Sequence, residues 1–161
     1  MALNKKHIIT EILKILSQNL ETLVETANIA KDAATAEESK AENKYDTRGL
    51  EASYLAGAQS KRAIELQEQI YRISHLKIKD YSENDPIGST ALIELDAGSN
   101  VTTFFLIPVA GGLTLKVNDT EIKTLTVEAP LGKELIGKFV GDEITIKAGD
   151  KTTCYEVINV Y

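Results

Sequence analysis

Two stretches with coiled-coil spacing flank the polar run TAEESKAENKYDTR, Thr35 to Arg48, and no other feature restricts the fold of this chain as much. Ile9, Leu13, Leu16, Leu20, Leu23, Ala27, Ala30 and Ala34 recur at alternating intervals of four and three, the seam of a coiled coil. Ala52, Ala56, Gln59, Ala63, Leu66, Ile70 and Ile73 form a second such line downstream. Two helices joined by a short polar connection fold back antiparallel and bury their stripes on each other. Each arm would be roughly 45 Å long, at about 1.5 Å per residue for about thirty residues. The expected product is a long finger with Glu37, Glu38, Glu42 and Asp46 at its tip.

The seam residues shrink towards that tip. Leu and Ile fill the base, whereas Ala30, Ala34, Gly49, Ala52 and Ala56 line the far end, so the backbones can approach closely there. Ala-on-Ala contacts bury few methylene equivalents at ~0.8 kcal/mol each. A hairpin selected for stability alone would carry Leu throughout, so the slender end points to a narrow destination.

Composition excludes several classes. No run of about 18 apolar residues is present, so no membrane span is expected. The start, MALNKKHIITEILKIL, is interrupted by Glu11 and Lys14 and does not read as a signal peptide. A single cysteine, Cys154, rules out an internal disulfide and suits a cytoplasmic location, with burial as a small hydrophobe expected for it. The formal charge of -6 argues against direct binding of duplex DNA through a broad basic face. Lys61, Arg62 and Arg72 could make a local basic patch, or simply a solvated helix face.

A boundary falls near residues 80–88, where turn formers gather around Pro86 and Gly88, giving a finger over 1–80 and a second domain over 86–161. Short β runs follow at Ala91–Leu95, Val101–Ile107, Leu113–Val117, Ile122–Val127, Glu143–Lys147 and Thr153–Val160. Asn118-Asp119 reads as a turn and Gly111-Gly112 as a hairpin turn. One short helix is expected over Leu131–Ile136, entered after Pro130 and ended by Gly137 in the left-handed region. The fold class is α+β: an antiparallel coiled-coil hairpin followed by a compact antiparallel β domain with one short helix.

With both halves read, the chain resembles the bacterial Gre-type transcript cleavage factors. The segment TVEAPLGKELIGKFVGDEITIK is similar to their C-terminal signature, carried here by Ala129, Pro130, Leu131, Gly132, Leu135, Gly137, Lys138, Gly141 and Asp142. Glu42, Asn43 and Tyr45 resemble the Glu-Asn-x-x-Tyr element of the family tip, with one residue fewer between Asn and Tyr. The resemblance implies an FKBP-like C-terminal domain that grips the rim of the secondary channel of RNA polymerase, with Tyr45, Pro130, Leu131 and Gly132 as partner-binding residues. It also implies that the finger enters the channel and that its carboxylates share a Mg²⁺ with the polymerase active centre. Those carboxylates would orient a water that cleaves the 3′ end of backtracked RNA. Carboxylates are hard oxygen donors suited to Mg²⁺, and two metals can stabilise the attacking and leaving oxygens of phosphodiester hydrolysis. The factor would have no active site and no cofactor of its own, and would meet RNA only indirectly.

The family tip reads Gly-Asp-Leu-Lys-Glu-Asn. Alignment on Glu42 and Asn43 places Ser39 where the aspartate stands and Ala41 where the lysine stands. Glu38 and Glu42, four apart, would share one helix face and form the expected working pair, with Glu37 and Asp46 as lesser candidates. Ser39-x-x-Glu42 and Thr35-x-x-Glu38 also match the capping box, in which the glutamate returns a hydrogen bond to the N-cap amide. Both readings stand, and a capped tip is compatible with a functional one.

Two further classes remain open. One is a secondary-channel regulator or inhibitor that does not promote cleavage, favoured by Ser39. The other is a chaperone or prolyl isomerase built on the β domain, which needs an aromatic-lined pocket from among Phe104, Phe105, Phe139, Tyr155 and Tyr161. His7 and His75 fall near the base of the hairpin but lack a third metal ligand. Ile8 and Ile12 beside the seam could pack on the β domain or on a second copy.

Overall fold

The computed structural model describes residues 4–35, 48–98, 100–149 and 151–161. In chain order they form α1 (Lys5–Thr35), α2 (Arg48–Ser74), β1 (Leu92–Asp96), β2 (Val101–Ile107), β3 (Thr114–Val117), β4 (Thr120–Thr126), α3 (Pro130–Leu135), β5 (Glu143–Ala148) and β6 (Lys151–Val160). They divide into two compact units: Leu13–Ser74, and the chain up to Ile12 together with His75–Tyr161.

Asn4 starts α1. Its side-chain oxygen accepts a hydrogen bond from the Lys6 amide at 2.9 Å, and its carbonyl accepts from the Ile8 amide at 3.1 Å. From Ser17 to Thr35 the residues withheld from full exposure are Leu20, Leu23, Thr26, Ala27, Ala30 and Ala34, which is the expected seam plus one threonine. From Ser53 to Ser74 they are Ala56, Gln59, Ala63, Leu66, Gln69, Ile70 and Ile73, again the expected line with one addition. A groove of about 470 Å³ runs between Asn19, Thr22 and Leu23 on α1 and Arg62, Leu66 and Gln69 on α2, so the helices lie side by side.

Gln59 breaks the apolar seam. Its side-chain carbonyl oxygen is buried with no hydrogen-bond partner among the described residues. A buried acceptor left unpaired costs about 1–3 kcal/mol. Gln59→Leu keeps the volume and removes the acceptor, so it is expected to raise the stability of the helical pair by about 1–3 kcal/mol. Thermal unfolding followed by helical circular dichroism measures this, and a lowered melting point would contradict it.

Ile8 and Ile12 are fully buried within the chain's own fold. Near them Lys5 is buried too, at 7% exposure. Its ammonium donates to the Lys79 carbonyl at 2.6 Å and stands 5.0 Å from the centre of the Tyr81 ring, where Lys79 Nζ also approaches to 4.4 Å. Burial lowers its pKa to about 8, with Asp80 opposing the shift and Lys79 adding to it. The folded protein therefore releases a proton that the unfolded chain keeps up to its ordinary value of 10.5. Stability from this group is reduced below pH 8 and recovers as pH rises towards 10.5. Tyr81, raised above its ordinary 10.0 by burial and by Asp85, acts oppositely above that pH. Urea unfolding at pH 8 and at pH 9.5 is expected to show the sheet domain more stable at the higher pH. Lys5→Met should remove that rise.

The six strands form one sheet in the order β3-β4-β2-β1-β6-β5. Every pair is antiparallel except β2 with β4, which run parallel with Phe105 opposite Thr124. The antiparallel sheet expected from the sequence is thus found in four of its five pairs, with this pair as the exception. The hairpin expected at Gly111-Gly112 is absent for the same reason: β3 pairs with β4, and β4 lies between it and β2. The two glycines instead carry the chain across the end of β4. A Cβ on Gly111 would stand 2.8 Å from Thr126 Cγ2 and 3.1 Å from the Thr126 amide, and Gly112 has φ +85°. Buried Thr124 secures this crossing, donating to the Ala110 carbonyl at 2.7 Å and accepting from the Leu113 amide at 2.9 Å. The true hairpin turn is Asn118-Asp119, where both residues have positive φ, 49° and 65°, as a type I′ turn requires.

Ile93, Leu95, Leu106, Leu135, Ile144 and Val157 make the core of one sheet face. β2 also buries Phe105 and Ile107, which alternate to the opposite face. Cys154 departs from its expected burial. It is exposed on β6, alternating with the inward Tyr155 and Val157, and its sulfur lies 3.5 Å from Thr145 Oγ1.

Candidate functional site

Glu37, Glu38, Ser39, Glu42, Asn43, Tyr45 and Asp46 all lie outside the described residues, within 36–47. What is described is the pair of helices that presents them. α1 runs to Thr35, where the hydroxyl turns back to donate to the Lys31 carbonyl at 3.1 Å. α2 begins at Arg48 with Glu51 in its first turn, a position where a carboxylate complements the helix dipole. These two ends coincide with the bounds of the polar run. The seam nearest them holds Ala30, Ala34 and Ala56, the slender packing that the sequence implied.

The second candidate group sits at α3. Ala129 precedes it in extended backbone, φ -65° and ψ 151°, without a side-chain cap, and Pro130 opens the helix at its first turn. Pro130 is exposed, Leu131 packs against the core, and Gly132 is buried. Leu131 and Gly132 thus have a packing role in the domain itself. Gly132 has no room for a side chain: an added Cβ would fall 3.0 Å from the Thr126 carbonyl carbon and closer still to its oxygen. Gly137 follows with φ +80° as expected, and its amide donates to the Ile87 carbonyl at 2.9 Å. Two apolar side chains beside this helix stand exposed, Ile136 to 45% and Phe139 to 43%, which the sequence did not signal. Helical and strand periodicity do not reach into the short turn that holds them.

A cleft of about 530 Å³ opens on the β3–β4 side of the sheet. Phe104 is the one aromatic in its lining, beside Leu113, Leu125, Ala129 and Lys123. Phe105 is entirely buried elsewhere, and Phe139 and Tyr161 are exposed outside the cleft. Of the five aromatics that could wall a proline pocket, this cleft therefore holds one. Nor do the described residues bring together three His, Cys, Asp or Glu side chains able to hold a metal ion. His7 and His75 are both exposed. No described helix is long and apolar enough to cross a membrane.

Comparison with known proteins bears on the whole chain. Residues 86–161 match the family model described as "Transcription elongation factor, GreA/GreB, C-term". Transcription elongation factor GreA of Thermodesulfovibrio yellowstonii is 45% identical over 42 residues, 26% of this chain and 27% of that relative. Transcription elongation factor GreA of Syntrophus aciditrophicus is 27% identical over 154 residues, 94% of this chain and 89% of that relative. Among solved structures, the GreA factor homolog 1 (Gfh1) protein of Thermus thermophilus is 22% identical, with 92% of this chain and 94% of that chain covered and a TM-score of 0.39. The chain is thus similar to the GreA/GreB transcription elongation factors, through its β domain by the family model and along nearly its full length by GreA proteins.

Proposed function

We propose that this protein binds RNA polymerase, places its finger in the secondary channel and promotes cleavage of backtracked RNA by the polymerase itself. The observation that carries the reading is the order of parts. Paired helices of 31 and 27 residues, joined by an acidic run, precede a GreA/GreB C-terminal domain. The long pair supplies reach, and its alanine-lined end supplies slenderness. In this reading Glu38 and Glu42 project from the tip, with Glu37 and Asp46 nearby. Mg²⁺ of the polymerase active centre supplies charge neutralisation, and carboxylates are ligands that it accepts readily. The two glutamates hold and orient the attacking water, so the protein completes another enzyme's active site and needs none of its own. The β domain, through Pro130 and its surroundings, holds the factor at the channel rim in the cytoplasm.

A second reading rests on one observation: Ser39 stands where the family tip has an aspartate. A tip without that carboxylate would occupy the channel and regulate the polymerase without promoting cleavage.

The test is a backtracked elongation complex assembled with polymerase from the same organism and Mg²⁺. Shortened transcripts on addition of the protein establish the first reading. Tight binding without shortening establishes the second. Absence of binding overturns both.

A further inference from the structure

The stretch from Lys79 to Thr90, ahead of β1, closes on itself. Its ends meet where the Lys79 amide donates to Thr90 Oγ1 at 2.9 Å. One step further in, the Tyr81 hydroxyl donates to the Ser89 carbonyl at 2.9 Å. Asp85 accepts from the Ser82 amide at 2.9 Å and from its hydroxyl at 2.7 Å. A short loop with adjoining ends, packed by its own side chains, is an Ω-loop. Thr90 is the unusual residue in it. Its φ is +71°, a left-handed conformation that a β-branched residue adopts only under constraint, and it is fully buried. Two bonds hold it there: its amide donates to the Leu106 carbonyl at 2.7 Å, and its hydroxyl accepts from Lys79. Lys79 is gripped in turn from outside the loop, its carbonyl accepting from buried Lys5 at 2.6 Å. The chain leaves the sheet unit after Ile12 and returns at His75, so this contact ties the outgoing stretch to the returning one.

We infer that Lys79–Asp85 is a spring-loaded strap lying over Ser89 and Thr90, with Lys5 as its latch and Thr90 as its spring. In the closed state Lys5 holds Lys79 by the carbonyl, Lys79 holds Thr90 by the amide, and Thr90 is kept in the left-handed region. In the open state those bonds pass to water, and Thr90 relaxes to the extended backbone that threonine prefers. The far end of the strap stays anchored. Ile87 is buried in the core, its amide donates to the Lys138 carbonyl at 2.8 Å, and its carbonyl accepts from the Gly137 amide. Every bond that opening breaks lies at an exposed residue or at Thr90 itself, so water can replace it cheaply. A segment with exposed hydrogen bonds, stored strain and a fixed hinge opens on its own, short of unfolding of the domain. The strap does not depend on the partner proposed above.

Residue-resolved amide hydrogen exchange on the full chain reads the opening. Lys5→Met keeps an unbranched apolar stem and removes the donor to Lys79. It is expected to speed exchange of the Lys79 and Thr90 amides tenfold or more, with the amides of the β1–β2 ladder unchanged. Thr90→Val keeps the side-chain shape and removes the acceptor. It should speed exchange at position 90 and at Ala91, whose amide donates to the Gly88 carbonyl at 3.1 Å, by a similar factor. Thr90→Asn works in the opposite direction. Asparagine tolerates the left-handed region and offers a carbonyl oxygen to the Lys79 amide, so exchange at Lys79 should slow. Unchanged exchange at these amides in Lys5→Met or in Thr90→Val overturns the inference. So does an increase that the β1–β2 ladder shares equally, since the strap then has no motion of its own. Exchange in Thr90→Asn no slower than in the wild type also overturns it, because Thr90 then stores no strain.

Discussion

Gly132→Ala is expected to lower the melting temperature of the sheet domain by more than about ten degrees. The added methyl would press on the Thr126 carbonyl oxygen well inside contact distance, 3.0 Å from its carbon and 3.2 Å from Val127 Cα. All three are backbone atoms of β4 or its exit, held by the ladder to β2, so no flexible side chain can yield. α3 cannot slide away cheaply either. Leu135, three residues on, is fully buried, and the Ile87–Gly137 hydrogen bond ties down the turn behind it. Overpacking in a closed core costs about 1–3 kcal/mol, and more where backbone must move. Each kcal/mol shifts melting by about 4–8 °C in a domain of this size. Gly57→Ala is the matching control, because nothing lies within 4 Å of a Cβ there. It should leave the sheet domain unchanged. An unchanged melting point in Gly132→Ala would refute the close approach of α3 to β4.

Glu38→Ala and Glu42→Ala are expected to reduce RNA cleavage on the order of 100-fold, the contribution of a well-placed group that positions or deprotonates water. Polymerase binding should change little, since the proposed grip on the polymerase lies in the β domain and neither residue belongs to it. The capping alternative makes a different forecast. A lost cap weakens α2 by about 0.5–2 kcal/mol and lowers finger stability without any dependence on metal. Titration with Mg²⁺ separates the two. A lost metal-sharing carboxylate raises the Mg²⁺ concentration needed for half-maximal cleavage, whereas a lost cap lowers the melting point and leaves that concentration alone. Ser39→Asp, which restores the family carboxylate, is the converse arm and should increase cleavage. Cleavage unchanged in both alanine variants would remove these residues from the mechanism.

The finger was legible in the sequence because its signal is periodic and local. The predicted seam on α1 and α2 reappears residue for residue in the burial pattern, with Thr26 and Gln69 as the only additions from Ser17 to Thr35 and from Ser53 to Ser74. Asn118-Asp119 and Gly137 were legible because positive φ selects few residue types. Strand order was not. A strand's own residues do not name its neighbour, so β4 between β2 and β3 could not be read from alternation. Gly111-Gly112 was misassigned as a consequence. Cys154 was assigned by residue type, but its face is set by its neighbours on β6. Buried Lys5 escaped notice because its partner is the Lys79 carbonyl, a backbone atom that carries no sequence signal. The candidate tip residues rest on the sequence and its resemblance, since 36–47 lie outside the described residues.

The placement of β4 between β3 and β2 also dictates an order of assembly. β3 and β4 are neighbours in sequence, joined by a two-residue turn, and can zip together on the microsecond scale of isolated hairpins. The parallel β2–β4 ladder has no such shortcut: β4 can take its place only after the chain has crossed beyond it and returned. β5 and β6 form another hairpin, with Ala148 opposite Lys151, and it joins the sheet by bringing Val160 opposite Ile93 across more than sixty residues. Loop closure of that kind slows folding more than it lowers stability. Each hairpin is thus a part that can form early, β3–β4 delivered whole to β2, and the docking of β5–β6 on β1 closes the domain last.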